Sequence, residues 1–168
     1  EHYLRKAALR STNKKIYLAG PFFSPEQITR LDQIATLLAK NPTVATENIF
    51  RPNEHSYSDA EFGTFEWQTA TFGFDIRQID QADLVVAVLD YQTELGQFEP
   101  DSGTMWECGY AFAHNKPVIL VRYKDDLPIN LMLSGSATAI FNGEADLANL
   151  ATYDFNTLQT KYVATKIY

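Results

Sequence analysis

The stretch Asp83-Leu-Val-Val-Ala-Val-Leu-Asp90 decides the fold of this chain. Its inner residues are all apolar, valine is the commonest of them, and an aspartate flanks them on each side. Such a run is typical of a parallel strand that is buried on both faces of a sheet. Apolar runs at Lys15–Gly20 and Pro117–Val121 have the same character. Buried strands separated by long segments predict an α/β protein.

The segments between these strands carry helix signals. After the first strand, Ser24 and Pro25 can begin a helix, because serine caps helix N-termini and proline fits the first helical position. Further helices are predicted at Glu66–Gln81, after Asp101, at Asn130–Leu133 and at Glu144–Leu150. Further strands are predicted at Thr43–Phe50 and Ser136–Phe141, and a long loop at Arg51–Phe65. This order predicts a flavodoxin-like, doubly wound sheet of about five parallel strands with flanking helices.

Length and composition indicate one globular domain. The chain has 168 residues, of which 45% are hydrophobic and 21% are charged, as is usual for a protein that buries a core. We assign residues 14–168 to a single domain. Residues 1–13, with a candidate short helix at Tyr3–Leu9, are expected to be an N-terminal extension or a remnant of expression.

Charge and cysteine content exclude several classes of function. The net charge is −7 and the basic residues form no cluster, whereas proteins that bind nucleic acid carry a basic patch. Cys108 is the single cysteine, which excludes an internal disulfide and a cysteine-based zinc cluster. No apolar run has the length of a membrane span and no signal peptide is visible, so we expect a cytoplasmic protein with no membrane partner.

In doubly wound sheets, ligands bind at the carboxyl ends of the strands. That edge gathers the loops Gly20–Ser24, Asp90–Ser102 and Tyr123–Asn130. The chain lacks the glycine pattern of dinucleotide-binding proteins and the Walker sequence, and its three scattered histidines have no metal-ligand spacing. No metal and no cofactor are therefore expected. Carboxylates are the remaining chemically active groups at this edge.

Glu107 is the most informative of these carboxylates. It follows a capping residue, Asp101 or Ser102, and stands in a helix among apolar and aromatic neighbours. The residues alone leave two interpretations open: a functional carboxylate, or one that a structural partner satisfies. In the first case, the nearby helix N-terminus should favour the ionised form. Such a carboxylate suits a nucleophile that attacks the anomeric carbon of a sugar.

The other candidate residues also have two interpretations. Asp101 is a helix cap or a ligand contact, and Asp75 is a solvated helix residue or a functional acid. The aromatic side chains near the first strand belong to the core or stack on a planar ligand; they are Tyr17, Phe22 and Phe23. Cys108 is expected to serve packing, and His114 to end a helix, where a cation suits the dipole.

Four separated segments resemble the nucleoside 2-deoxyribosyltransferases, the lactobacillus-type enzymes that exchange bases on deoxynucleosides. They are Lys15–Phe23, Trp67–Asp75, Asp101–Ala111 and Pro128–Met132. The resemblance implies a double displacement without metal or cofactor. Its substrates would be 2′-deoxynucleosides and free nucleobases. The form of the segment around Glu107 is nearer to the class that takes both purines and pyrimidines. Phe74 stands where many members carry asparagine, which is a departure from the family pattern beside the base.

The resemblance also implies roles for single residues. Glu107 would be the nucleophile that forms a deoxyribosyl ester, Tyr17 would orient it, and Asp75 would protonate the leaving base. Asp101 would bind the sugar hydroxyls, and the aromatic turn with Phe22 and Phe23 would contact the base. The family is hexameric, a trimer of dimers, which implies a homo-oligomer here. Asn130 would then reach into a neighbouring subunit's site, and the carboxylate of Tyr168 would help complete the pocket.

Two rival functions remain at this stage. The first is hydrolysis of the glycosidic bond of a deoxynucleoside or deoxynucleotide by an N-glycosidase of the same superfamily, with water as the acceptor. The second is a domain that senses nucleotides without catalysis. Retention of Glu107, Asp101, Asp75 and Tyr17 argues against a domain without catalysis, which would be expected to lose some of them.

Overall fold

The structure, a computed structural model, describes residues 13–164, 166 and 167. The candidate helix at Tyr3–Leu9 lies outside these residues. The described chain forms one sheet in which every neighbouring pair of strands is parallel. The order is β2-β1-β3-β4-β5, with β1 at Lys14–Ala19, β2 at Val44–Phe50, β3 at Leu84–Val88, β4 at Val118–Arg122 and β5 at Ala139–Asn142. The predicted doubly wound sheet is confirmed.

Helices connect these strands and cover both faces of the sheet. Their bounds are α1 Pro25–Ala39, α2 Phe65–Gln81, α3 Ser102–Ala113, α4 Leu131–Ser136 and α5 Glu144–Leu147, with 3-10 turns at Pro52–Glu54, Thr93–Leu95 and Ala148–Ala151. Ser24 caps α1 as predicted, since its hydroxyl accepts the Gln27 N–H at 3.2 Å. Within the described residues, none of the helices has the length and apolarity to cross a bilayer.

The last strand differs from the prediction. It begins at Ala139 rather than at Ser136, because α4 continues to Ser136. Asn130 begins this helix by accepting the Met132 N–H at 2.9 Å, and the Ser136 hydroxyl donates to the Leu133 carbonyl at 2.9 Å. These hydrogen bonds favour the helix over an earlier start of the strand.

Alternation along β1 assigns its side chains to two cores. Ile16 and Leu18 pack in the cluster on the α1 side of the sheet. Tyr17 and Ala19 point to the opposite face, where Cys108 of α3 joins the same cluster. Tyr17 is fully buried. The register of β1 therefore directs the Tyr17 phenol toward α3, the helix that carries Glu107.

Gly20 allows β1 to end close against its neighbours. A Cβ at this position would lie 2.7 Å from Leu31 Cδ2 and 3.2 Å from Val88 Cβ. The first distance is too short for a carbon contact, so a larger residue would force the Leu31 side chain to shift and would press against Val88. The turn that follows β1 thus begins at the carboxyl edge of the central strands.

Candidate active site

A cavity of 340 Å³ lies at this edge of the sheet. We call it the catalytic cavity; its walls come from the turn after β1, from α2 and from the first half of α3. Its volume is typical of sites for small molecules. The predicted site residues that line it are Phe22, Phe23, Asp75, Asp101 and Glu107. The fold thus brings together side chains from three separated segments of the sequence.

Glu107 lines this cavity, and Tyr17 lies buried behind it. The Tyr17 phenol donates a hydrogen bond to Oε2 of Glu107. Burial, the first cause, and the Glu107 charge raise the pKa of Tyr17 far above its usual range, so the phenol keeps its proton and remains the donor. The bond fixes one oxygen of the carboxylate and leaves Oε1 for a second partner.

The ionisation of Glu107 corrects the expectation from the helix dipole. Burial raises its pKa to about 7; the Tyr17 hydrogen bond lowers it, and the charges of Asp75 and Asp101 raise it. Glu107 is the sixth residue of α3, beyond the first turn in which the dipole acts. Desolvation therefore decides the shift. Glu107 exchanges its proton near neutral pH instead of staying ionised in acid.

Asp75 is the second carboxyl group of the cavity with a raised pKa. Burial raises its pKa to about 6, and the nearby His55 lowers it. The His55 ring stacks on Phe50 with centroids 4.7 Å apart and an interplanar angle of 11°. A carboxyl group that titrates near neutral pH can give a proton to a leaving group and take it back.

Asp101 is the cap of α3. Its Oδ2 accepts the Thr104 N–H at 2.8 Å and the Thr104 hydroxyl at 2.9 Å. The helix therefore begins at Ser102, and Asp101 rather than Ser102 is the capping residue. Both hydrogen bonds end on Oδ2, so Oδ1 can accept a hydrogen bond from a ligand in the cavity. The two interpretations of Asp101 are compatible in this geometry.

Aromatic rings flank the carboxylates on two sides. The rings of Phe22 and Phe23 are 5.1 Å apart; Phe22 packs against the core, while Phe23 is 71% exposed. Across the cavity, Phe72 and Trp106 form an edge-to-face pair at 5.4 Å. Exposed aromatic faces beside a cavity are suited to a planar heterocycle.

Asn130 lies elsewhere within its own chain. It lines a separate, apolar cavity of 850 Å³ between α3 and α4, together with Met105 and Met132. Met132 is 78% exposed. Glu107 faces the catalytic cavity on another side of α3. The second predicted contributor to a shared site, Tyr168, lies outside the described residues.

Two residues that shape the site were not identified from the sequence. Gln27 is fully buried, and its Oε1 accepts the Phe23 N–H at 2.7 Å, which fixes the aromatic turn. The sequence does contain a signal that Gln27 is buried, because Gln27 is the first residue on the buried side of α1. The other residues on that side are Leu31, Ile34 and Leu38. His55 is the other; no periodic pattern in its loop indicates that it neighbours Asp75.

Comparison with known proteins agrees with the fold. A family model described as nucleoside 2-deoxyribosyltransferase matches residues 16–142. The nucleoside deoxyribosyltransferase of Limosilactobacillus fermentum is 33% identical over 156 residues, which cover 86% of this chain and 88% of that protein. The enzyme of the same name from Lactobacillus johnsonii is 30% identical over 161 residues, with coverage of 90% and 100%.

A solved structure gives the same result. The 2-deoxyribosyltransferase of Bacillus psychrosaccharolyticus superposes on this chain with a TM-score of 0.69 at 34% identity, and the match covers 89% of this chain and 98% of that one. The family match spans all five strands of the sheet. This chain belongs to the nucleoside 2-deoxyribosyltransferase family of enzymes.

Proposed function

We propose that this enzyme moves the 2-deoxyribosyl group from one nucleobase to another through a covalent ester on Glu107. The observation that carries the proposal is the hydrogen bond from buried Tyr17 to Glu107, which lines a cavity with aromatic walls. A carboxylate held by one oxygen has the other free for attack. The substrates are 2′-deoxynucleosides and free nucleobases, and the chemistry needs no cofactor.

In the first half-reaction, Oε1 of ionised Glu107 attacks C1′ of the deoxynucleoside. The bond between C1′ and the base nitrogen breaks, and its electron pair stays on the base. Asp75 gives its proton to that base. The product is an ester between Glu107 and C1′, formed through a transition state with oxocarbenium character that the carboxylate stabilises.

In the second half-reaction, a nitrogen of the incoming base attacks C1′ from the side opposite to Glu107. The bond between C1′ and the ester oxygen breaks, and Glu107 regains its charge. The N–H proton of the incoming base passes to Asp75, which restores the enzyme. Two inversions at C1′ give net retention of configuration.

The remaining residues hold the substrate. Asp101 accepts a hydrogen bond from a sugar hydroxyl at Oδ1 while Oδ2 caps α3. Phe22 and Phe23 contact the base, and the aromatic walls exclude water from the ester. Phe74 packs against Phe50 with centroids 5.6 Å apart, so the position where many members of the family carry asparagine is apolar here.

The site is proposed to need a second subunit. The apolar face around Met105, Phe112 and Met132 is open to solvent in one chain, and faces of this kind are typical of subunit contacts. A homo-oligomer, with the hexamer of three dimers as the expected form, would cover it. Asn130 and Tyr168 would then complete the neighbour's cavity. A cytoplasmic location is part of the same proposal.

One experiment separates transfer from its rivals. The enzyme is incubated with deoxyinosine, with and without free adenine, and the products are separated by chromatography. Transfer yields deoxyadenosine only when adenine is present. Hypoxanthine and free deoxyribose at equal rates in both samples would show an N-glycosidase, and no product in either sample would show a domain without catalysis.

The nucleophile has its own test. The wild-type enzyme should release a burst of free base in proportion to its active sites, and Glu107→Ala should remove that burst. A Glu107→Ala variant with an undiminished burst would overturn the assignment of Glu107. Thermal unfolding of the variant shows whether it is folded, so that loss of the burst can be attributed to chemistry.

A further inference from the structure

A second cavity, of 370 Å³, lies beside the catalytic cavity on another face of α2. The two cavities use different stripes of the same helix. Phe72, Asp75 and Ile76 face the catalytic cavity. Thr71, Phe74 and Arg77 face the second cavity. Residues at such spacing share one side of a helix, so α2 is a wall common to both cavities and separates them.

The polar groups of this second cavity are hydrogen-bond donors. The guanidinium of Arg77 has only donors, and the hydroxyls of Ser56 and Tyr57 and the imidazole of His55 can all donate. Among the described residues that line the cavity, none is an aspartate or a glutamate. A donor-rich lining without acids is notable in a chain whose net charge is −7.

Two of these donors lack partners. Thr71 Oγ1 is buried and forms no hydrogen bond, although a threonine inside a helix usually bonds to the preceding turn. Over residues 13–164, 166 and 167, no carboxylate pairs with Arg77. The Thr71 hydroxyl has almost no accessible surface, so the group that a ligand in this cavity would meet is the exposed guanidinium of Arg77.

We propose that this second cavity binds the phosphate group of a mononucleotide. Arginine is the side chain best suited to the phosphate group, because its planar fork can donate two parallel hydrogen bonds. The volume exceeds the need of a phosphate ion and is that of a site for a small organic molecule. The rings of Phe74 and Tyr57 provide surfaces on which a base can stack.

The proposal concerns binding alone and goes beyond the transfer reaction, so its failure and the failure of the proposed function are distinguishable. Isothermal titration calorimetry of the intact enzyme compares inorganic phosphate, a deoxynucleoside 5′-monophosphate and the parent deoxynucleoside. We expect Arg77→Met to weaken the monophosphate about tenfold or more, since a charge-assisted hydrogen bond is lost. Affinity for the deoxynucleoside, which occupies the catalytic cavity, should not change.

Two further variants control this result. Tyr57→Phe keeps the ring and removes only a phenol that lines the cavity, so it should fold as the wild type does and still weaken the monophosphate several-fold. Lys40→Met removes one positive charge from the exposed end of α1 and should leave all affinities unchanged. The Lys40 variant separates a local contact from the general effect of net charge.

Three outcomes of this titration would contradict the proposal. Equal affinity of the wild type, Arg77→Met and Tyr57→Phe for the monophosphate would overturn the site. Parallel losses for the monophosphate and the deoxynucleoside would also overturn it, because both ligands would then share one cavity. If inorganic phosphate bound as tightly as the monophosphate, the site would be one for free phosphate and the nucleotide assignment would be wrong.

Discussion

Tyr17 and Glu107 are 90 residues apart in the sequence and are joined by a hydrogen bond from phenol to carboxylate. The bond crosses from β1, a central strand, to α3, the helix that packs over the neighbouring strands β3 and β4. Tyr17 is fully buried and stacks on Phe50 with centroids 5.3 Å apart. Tyr17 cannot move without disturbing the core. The orientation of the proposed nucleophile is thus fixed before the substrate binds.

Tyr17→Phe tests what this hydrogen bond does. The bond lowers the pKa of Glu107, so its removal should raise that pKa and move the acidic limb of the activity profile to higher pH. At pH 6 we expect kcat/KM to fall about tenfold or more, since hydrogen bonds to charged groups contribute about 1.5–3 kcal/mol. Steady-state kinetics between pH 5 and 9 measure the shift.

Tyr153→Phe is the matched control for this variant. Its hydroxyl donates to the Gln159 carbonyl at 2.7 Å, and the ring belongs to the core on the other face of the sheet. It should change stability without moving the pH profile. An unshifted profile in Tyr17→Phe would show that the phenol only packs.

The two raised pKa values predict a bell-shaped pH profile. Attack requires ionised Glu107, whose pKa is about 7, and release of the base requires protonated Asp75, whose pKa is about 6. The apparent pKa values of the two limbs describe the pair rather than either residue alone, because the charge of each carboxylate affects the pKa of the other. We expect the maximum of kcat/KM between these values.

Asp75→Asn separates the two groups. The proton donor is lost, so the fall of activity on the alkaline side should disappear, and kcat should decrease about 10²-fold or more for bases that need protonation. The acidic limb that remains should then report the pKa of Glu107 alone, which the charge of Asp75 no longer raises. A profile with both limbs in place would exclude Asp75 as the acid.

The sequence was sufficient for the sheet because its strongest signals are local. The apolar run of β3 and the cap and proline of α1 depend on neighbours in the chain, and both were predicted correctly. The start of β5 was not, because α4 continues to Ser136 through the hydrogen bonds of Asn130 and Ser136. Competition between a short helix and a strand is decided by such bonds and by packing rather than by local pattern.

The candidate site was predictable in its residues but not in its electrostatics. The carboxyl-edge rule and the family motifs indicate which carboxylates converge. They do not indicate how deeply Glu107 is buried, which depends on side chains from other elements and reverses the shift expected from its helix. The place of His55 beside Asp75 likewise depends on a ring stacked on Phe50 in a loop without periodic pattern.

Glu107→Gln should stabilise the fold at alkaline pH. The folded-state pKa of about 7 exceeds the ordinary value of 4.5, so the stability that protonated Glu107 contributes is complete below pH 4.5 and is lost as pH rises to about 7. Glutamine is always neutral and still accepts the Tyr17 hydrogen bond. Thermal unfolding should give similar melting temperatures at pH 4.5 and a higher one for the variant at pH 8. A less stable variant at pH 8 would contradict the shift.

Substitution can separate the two roles of Asp101, which are to cap α3 and to bind the sugar hydroxyl. Asparagine is as good a helix cap as aspartate, so Asp101→Asn should keep stability within about 0.5 kcal/mol while it raises KM for the deoxynucleoside. Asp101→Ala should also lose about 1 kcal/mol, the usual contribution of a cap. Thr64→Ala, which removes the cap that accepts the Trp67 N–H in α2 at 3.2 Å, controls for loss of a cap. An unchanged KM in Asp101→Asn would leave capping as its only role.

Mixed oligomers test the proposal that subunits share a site. If Glu107 of one subunit works with Asn130 of another, Glu107→Ala and Asn130→Ala chains are each defective alone, but a hybrid dimer has one site with both residues intact. Random reassociation of equal amounts makes half of the dimers hybrid, so activity should recover to about a quarter of the wild-type value. The two variants are mixed, unfolded and refolded together, and assayed against separately refolded samples. No recovery, with hybrids verified by mass, would place Asn130 in the site of its own chain. That placement would conflict with the position of Asn130 on the Met105 and Met132 face rather than in the catalytic cavity.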